Sequence, residues 1–246
     1  MQERKEEQMT REQFFLRISA LCVIVGSAAV FAFRAAHGDP PGDMPEEALR
    51  VIASYPNYAG VHLGAILGVV IWVIGLRGLS GTLTGRVAYA LGWLGAASAL
   101  MGAAIFIVDF SIDGAGGQAL ADRWAATVSP SERADLVRAA DTVLTALRGT
   151  SLVAIAILWG LPLVLFGLAV AWEDYYPHWL GWTGMVVGAA TFAAAIAQYL
   201  QPDIIQGVLI YGLLVSIVQL WSIGLGVAMW RRVRLSKHLQ RPHGNS

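Results

Sequence analysis

The chain has 246 residues, 56% of them hydrophobic and 14% charged, well short of the roughly 25% charge of a soluble domain. Lys+Arg and Asp+Glu number 17 each, so no excess of basic residues is available for a nucleic-acid partner. A single cysteine, Cys22, excludes an intramolecular disulfide and a thiolate metal cluster built from this chain alone.

This composition predicts an all-α polytopic membrane protein, residues 1–246 forming one domain. A membrane helix needs about 20 mostly apolar residues to cross a core of about 30 Å. Six such runs are present, at 15–33, 60–79, 87–110, 151–172, 179–200 and 204–230. No stretch alternates with period two, so the spans read as helices rather than barrel strands. Several of the nine Trp stand near span ends, where amphipathic rings anchor at the membrane–water interface.

The first span follows a charged tail, residues 1–14. It is longer than a typical signal core and lacks a small-x-small cleavage site. The stretch Ser19-Ala20-Leu21-Cys22 has a lipoprotein-like cysteine, but Leu21 is too large for that cleavage. The segment is read as retained. The loop that follows is acidic, with Asp39, Asp43, Glu46 and Glu47 against Arg50. Span two carries His62 and the pair Gly64/Gly68, whose small-xxx-small spacing suits close helix packing. Arg77 and Arg86 mark the loop into span three, which opens on Leu91-Gly92-Trp93-Leu94-Gly95.

The segment 114–150 is the longest outside the spans. Gly114, Gly116 and Gly117 read as the end of span three, followed by a short helical piece over 118–128. Ser129-Pro130-Ser131-Glu132 reads as a helix start with a capping box. Beyond it Leu136, Val137, Ala140, Val143, Leu144 and Leu147 share one face. The expected role is an amphipathic helix lying on lipid headgroups or leading straight into span four; a lid or docking helix is the alternative. Span five opens on Leu180-Gly181-Trp182-Thr183-Gly184, a faint echo of span three. Gly184 and Gly188 repeat the small-residue spacing.

Orientation follows from the basic residues. Arg4, Lys5, Arg11 and Arg17, then Arg77 and Arg86, then Arg231, Arg232, Arg234, Lys237 and Arg241 in the tail 231–246 fall on one side of an even number of spans. The positive-inside rule makes that side cytoplasmic.

Polar residues inside spans are costly and mark candidate sites. His62, Asp109, Asp113, Gln198, Gln206 and Gln219 are the set, with Arg34 and Arg148 at span ends. His62 and Asp109 each lie about one turn, about 5 Å, below the external boundary. Asp109 and Asp113 are four apart and share a helix face, so two carboxylates there call for a cation. Arg34, Arg148 and His62 are the available ones. Because intramembrane charges commonly pair with one another, the favoured reading is a structural ion-pair network. The sharper alternative is a small external-facing site for a proton, metal ion or polar ligand at His62, Asp109 and Asp113.

Other chemistries are discounted. Both lysines, Lys5 and Lys237, lie in tails, leaving none for a retinal Schiff base. Only His62 is clearly within a span, with His37 near the surface, which disfavours a bis-histidine haem. A catalytic zinc site typically takes three protein ligands and here would need His62 with both aspartates. No phosphate-binding glycine loop is present. Ser111 and Ser151 have no histidine base nearby in sequence, and His178, His238 and His243 read as surface or tail residues.

Asp113-Gly114, then Ala119-Leu120-Ala121-Asp122-Arg123-Trp124, and later Pro177-His178-Trp179-Leu180-Gly181-Trp182 resemble a family of small bacterial membrane proteins. Its members have a handful of helices and a long loop after the third. The resemblance runs roughly from span two to span five. It implies a bacterial cytoplasmic membrane and carries no activity or cofactor over. The glycine-faced helices and the absence of catalytic motifs lead to the expected function, a non-enzymatic accessory or scaffold subunit working with a membrane-protein partner or further copies of itself. The alternatives are a transporter or sensor using the His/Asp cluster, and an intramembrane enzyme.

Overall fold

The computed structural model describes residues 2–38, 40–202, 204 and 209–238. Asp39, Gln206, Arg241 and His243, singled out above, lie outside the described residues. Within them the protein is all-helical, without strands. The helices are α1 (Gln2–Ala35), α2 (Pro45–Ser54), α3 (Tyr58–Ser80), α4 (Arg86–Ser111), α5 (Gly117–Ala126), α6 (Pro130–Ile155), α7 (Leu161–Ala171), α8 (His178–Leu200) and α9 (Val215–His238). Three π-helical turns, Ile112–Gly116, Ala156–Gly160 and Leu209–Leu214, accompany them. Six helical runs are long and apolar enough to cross a membrane, and the protein is membrane-embedded.

Two of these runs are far longer than the apolar stretches foretold. Arg86–Ala126 continues from α4 through a π turn into α5, and Pro130–Ala171 continues from α6 into α7, with 41 and 42 residues. Each is about 60 Å long, twice the hydrocarbon core, and so projects well past the bundle. Gly114, Gly116 and Gly117 therefore do not end the third span. Gly116 and Gly117 keep right-handed helical dihedrals, φ −68° and −60°, so no left-handed cap forms.

The spans alternate in direction. The starts of α4 and α8 and the ends of α3, α7 and α9 meet at one end of the bundle, with the beginning of the α1 span. This is the terminal end. The opposite, far end carries the projections. α1 packs along α3 and α9, α4 against α3 and α7, and α7 along α8. Between lipid-embedded helices the gain comes from close van der Waals contact rather than from removing apolar surface from water, so small residues decide the contacts. Gly68 meets Ala29 and Val30, and Gly188 meets Leu163 and Val164. The two Leu-Gly-Trp openings share a packing logic: Gly92 sits on Leu83, Gly181 on Ala171, and Trp93 and Trp182 point outward.

At the terminal end the buried Glu173 accepts hydrogen bonds from the Thr84 and Gly85 backbone N–H groups, at 2.5 and 3.0 Å. It thereby seats a negative charge at the start of α4, where the helix dipole favours it. Arg232 lies 4.5 Å over the Tyr175 ring and donates to the Thr82 carbonyl oxygen.

At the far end α2, α5 and the first half of α6 form a cap with its own small core of Leu49, Ile52, Tyr58, Trp124, Leu136 and Ala140. The amphipathic face of α6 is turned onto α2 and α5, and the helix runs into span four without a break. Ser129 caps it, accepting from the Glu132 N–H at 3.4 Å. The Glu132 carboxylate accepts from the Thr127 hydroxyl at 2.7 Å. Helix α2 was not foreseen, although Pro45 in its first turn, Glu46 and Glu47 beside it and the inward Leu49 and Ile52 are a readable start signal.

Candidate functional site

Three segments converge at the far end. α1 ends at Ala35 and the chain turns back, the His37 N–H bonding the Arg34 carbonyl at 3.2 Å. Gly38 follows at φ +80°, a left-handed conformation that glycine adopts without steric cost. This turn aims His37 at the start of α3. There Tyr58 and His62, four residues apart, share a face. The π turn after α4 supplies Asp113. Gly114 makes the approach possible, since a Cβ at that position would stand 2.4 Å from the Cβ of His62.

His37 Nε2 lies 3.0 Å from His62 Nε2. The Asp113 Oδ2 atom stands 3.1 Å from His62 Nε2 and 3.5 Å from His37 Nε2. All three donor atoms fall within 4.8 Å of one another. The other carboxylate oxygen of Asp113 accepts from the Tyr58 hydroxyl at 2.9 Å. His62 Nδ1 faces the Tyr58 carbonyl oxygen at 2.8 Å. A carbonyl only accepts, so Nδ1 carries the hydrogen. In the neutral ring Nε2 then presents its lone pair to the carboxylate and to His37. Lone pairs converging this closely require a proton or a metal cation between them. Tyr58 and Phe110 hold the His62 ring from two sides, at centroid distances of 4.3 and 5.1 Å. His62 is 1% exposed, while the His37 and Asp113 side chains are 16% and 22% exposed, which leaves a way in from the far end.

Of the residues singled out in sequence, the fold joins His62 to Asp113 and turns Asp109 elsewhere. The buried Asp109 carboxylate accepts from the Thr150 and Ser151 hydroxyls, the latter at 2.5 Å. Asp113 lies in the π turn, and the two aspartates bond different partners. Arg148, expected as a charge partner, instead donates to the Gly42 carbonyl oxygen at 3.0 Å. Arg34 lines a cleft together with Asp109 and Ser151. The third member of the cluster, His37, was set aside as a surface residue. The signal lay in the pair His37-Gly38, a glycine turn straight after a span.

The narrow cleft lies between α1, α3, α4, α6 and α9. Its walls are Val30, Ala65, Phe106, Phe110, Trp159 and Val215, and Phe110 separates it from the histidines. A second small space lies under the cap, where Asp113 meets Leu49, Ile52 and Leu144.

Replacing Asp109 with Asn leaves one of the two hydroxyls facing an amide NH2. The expected cost is roughly 1–3 kcal/mol, read as a lower melting temperature in detergent. An unchanged melting temperature would mean that Thr150 and Ser151 find other acceptors at no cost.

Fold and site together define a six-span helical membrane protein with a converging His–His–Asp donor set at one end of the bundle. No family model, curated protein or solved structure matches the chain.

Proposed function

We propose that this membrane protein binds one divalent transition-metal ion between His37, His62 and Asp113. The observation that carries the reading is the convergence of three donor atoms within 4.8 Å, with His62 held in the tautomer that a metal ligand needs. With bonds of about 2.0–2.1 Å, ligand atoms of a tetrahedral zinc site stand about 3.3–3.4 Å apart. The separations of 3.0, 3.1 and 3.5 Å bracket that value. The Tyr58 carbonyl on His62 and the Tyr58 hydroxyl on Asp113 supply the outer contacts that orient metal ligands. Three protein ligands leave the fourth position open to water or to a second ligand.

The distribution of Lys and Arg favours cytoplasmic termini in a bacterial membrane, which puts the metal site on the outer side. An accessory-subunit role draws on glycine-faced helices and on the absence of catalytic motifs, whereas the metal reading draws on donor atoms in position.

The test is elemental analysis of the purified, zinc-loaded and desalted protein. One zinc per chain is expected for the wild type and none for Asp113→Asn, with matching circular dichroism. Because ligating imidazoles must be deprotonated, zinc affinity falls as the pH is lowered. A wild type that retains no zinc above background overturns the reading.

A further inference from the structure

The three proposed ligands stand where the cap joins the bundle. His37 precedes α2 and His62 follows it, so the 25-residue excursion between them carries the whole of α2. Asp113 lies in the π turn that leads directly into α5. A metal ion held by all three would close the α2 excursion at its base and tie it to the root of α5. Closing a loop in this way removes conformational freedom from the undocked chain.

The cap depends on such a tie. α2 and α5 have 10 residues each, fewer than the roughly 12–15 that a helix needs to persist alone in water. Docking holds them: Leu49 and Ile52 of α2 and Trp124 of α5 close on Leu136 and Ala140 of α6. This core is separate from that of the bundle. Small docked units of this kind open at a lower free energy than the structure as a whole. α6 is secured differently, because it runs on into a membrane span.

Tyr58 joins the core of the cap to the ligands. Its buried ring belongs to that core. Its hydroxyl donates to Asp113 at 2.9 Å, and its carbonyl oxygen accepts from His62 Nδ1 at 2.8 Å. Gly117, the first residue of α5, lies against Ile52 and Tyr58, a Cβ there standing 3.7 Å from each. Tyr55, just after α2, donates its hydroxyl to the carbonyl oxygen of Ala36, next to His37. Undocking α2 and α5 therefore pulls on the groups that orient all three ligands.

Resting on the metal-binding reading above, we infer that the metal is the latch of the cap and that the protein is a metal-responsive switch. With the ion bound, α2 and α5 stay docked on α6. Without it the three donor atoms repel unless a proton stands between them, the base of the α2 excursion loosens, and α2 and α5 leave. The apolar face of α6 around Leu136 and Ala140 is then uncovered. Ion occupancy thus sets whether an apolar surface is open or covered.

Hydrogen–deuterium exchange read by mass spectrometry tests this on the full chain in detergent. Samples contain either chelator or zinc at about 100 times its Kd, and their zinc content is measured alongside. Opening that breaks the metal site is opposed about 100-fold at that concentration. Amides of α2 and α5 are expected to exchange at least about tenfold more slowly with zinc, and those of the loop 172–177 at the terminal end at an unchanged rate. Asp113→Asn, which binds no zinc on that reading, is expected to show no zinc effect in either helix. His37→Ala serves as the second variant should Asp113→Asn not fold, with the same expectation. Wild type that binds one zinc but protects α2 and α5 no more than the loop overturns the latch and leaves the metal site standing. A zinc effect on α2 and α5 that persists in the folded variant overturns it too, because the ion then acts elsewhere. Wild type that binds no zinc removes the metal reading, and this inference with it.

Discussion

On the proposed metal site, replacing His62 with Ala is expected to abolish the stabilisation that zinc gives this protein. A ligand that binds only the folded state, at about 100 times its dissociation constant, adds about 2.7 kcal/mol, so the wild type melts at a clearly higher temperature with zinc than with chelator. His62 is the most buried of the three proposed ligands, locked by its Nδ1–H to the Tyr58 carbonyl and packed against the rings of Tyr58 and Phe110. Ala removes the lone pair that bridges toward both His37 and Asp113, leaving two ligands where zinc sites hold three or four. His178→Ala, at the start of α8 by the terminal end, keeps the full zinc shift and serves as the control. Differential scanning fluorimetry with and without zinc decides the matter. An undiminished shift in His62→Ala would mean that zinc acts elsewhere.

Gly167→Ala is expected to be the most damaging of the single methyl additions considered in the bundle. A Cβ at Gly167 would stand 2.3 Å from the Met185 backbone nitrogen and 2.7 Å from the Gly181 carbonyl oxygen. Both are backbone atoms of α8, so no side chain can rotate away and the whole α7–α8 contact must widen. Overpacking where side chains can yield costs about 1–3 kcal/mol, and the rigid backbone places this variant at or beyond the top of that range. Gly42→Ala, with nothing within 4 Å of the added carbon, should be neutral. Size-exclusion profiles after stepwise heating in detergent separate the two: Gly167→Ala aggregates well below wild type, Gly42→Ala alongside it. Equal behaviour of both variants would show that α7 and α8 have slack that this packing denies.

The pair also shows what a linear reading can reach. The spacing of Gly184 and Gly188 announced a packing face, and the face is there, because helical periodicity alone puts residues four apart on one side. Gly167, on the facing helix, has the same spacing with Ala171, but which helix that face meets is legible only once α8 lies against it. Helix α6 is a similar case. Its cap at Ser129 and its apolar face were evident, since both are local, but the partner of that face was taken to be lipid. α2 was missed, and α2 with α5 is what the face covers.

The candidate site divides along the same line. His62 and Asp113 stood out because a charge or imidazole in an apolar run is costly wherever the run folds. Asp109 stood out for the same reason, and the i, i+4 rule paired it with Asp113. A π turn, Ile112–Gly116, begins just past Asp109 and contains Asp113. Asp109 then bonds the hydroxyls of the neighbouring helix, and Asp113 swings to His62. His37 could not be assigned from spacing, since it is joined to the cluster by a glycine turn whose direction depends on where α3 stands.

The sequence by itself determined six membrane spans, the all-helical class, the shared side of the two termini and the polar residues that needed explaining. These depend on composition and short-range periodicity, which the bilayer enforces on every segment independently. Only the tertiary structure decided that two spans run on into a cap and that His37 rather than Asp109 stands beside His62 and Asp113. Those outcomes depend on backbones meeting at glycines, contacts between residues tens of positions apart that no local pattern encodes.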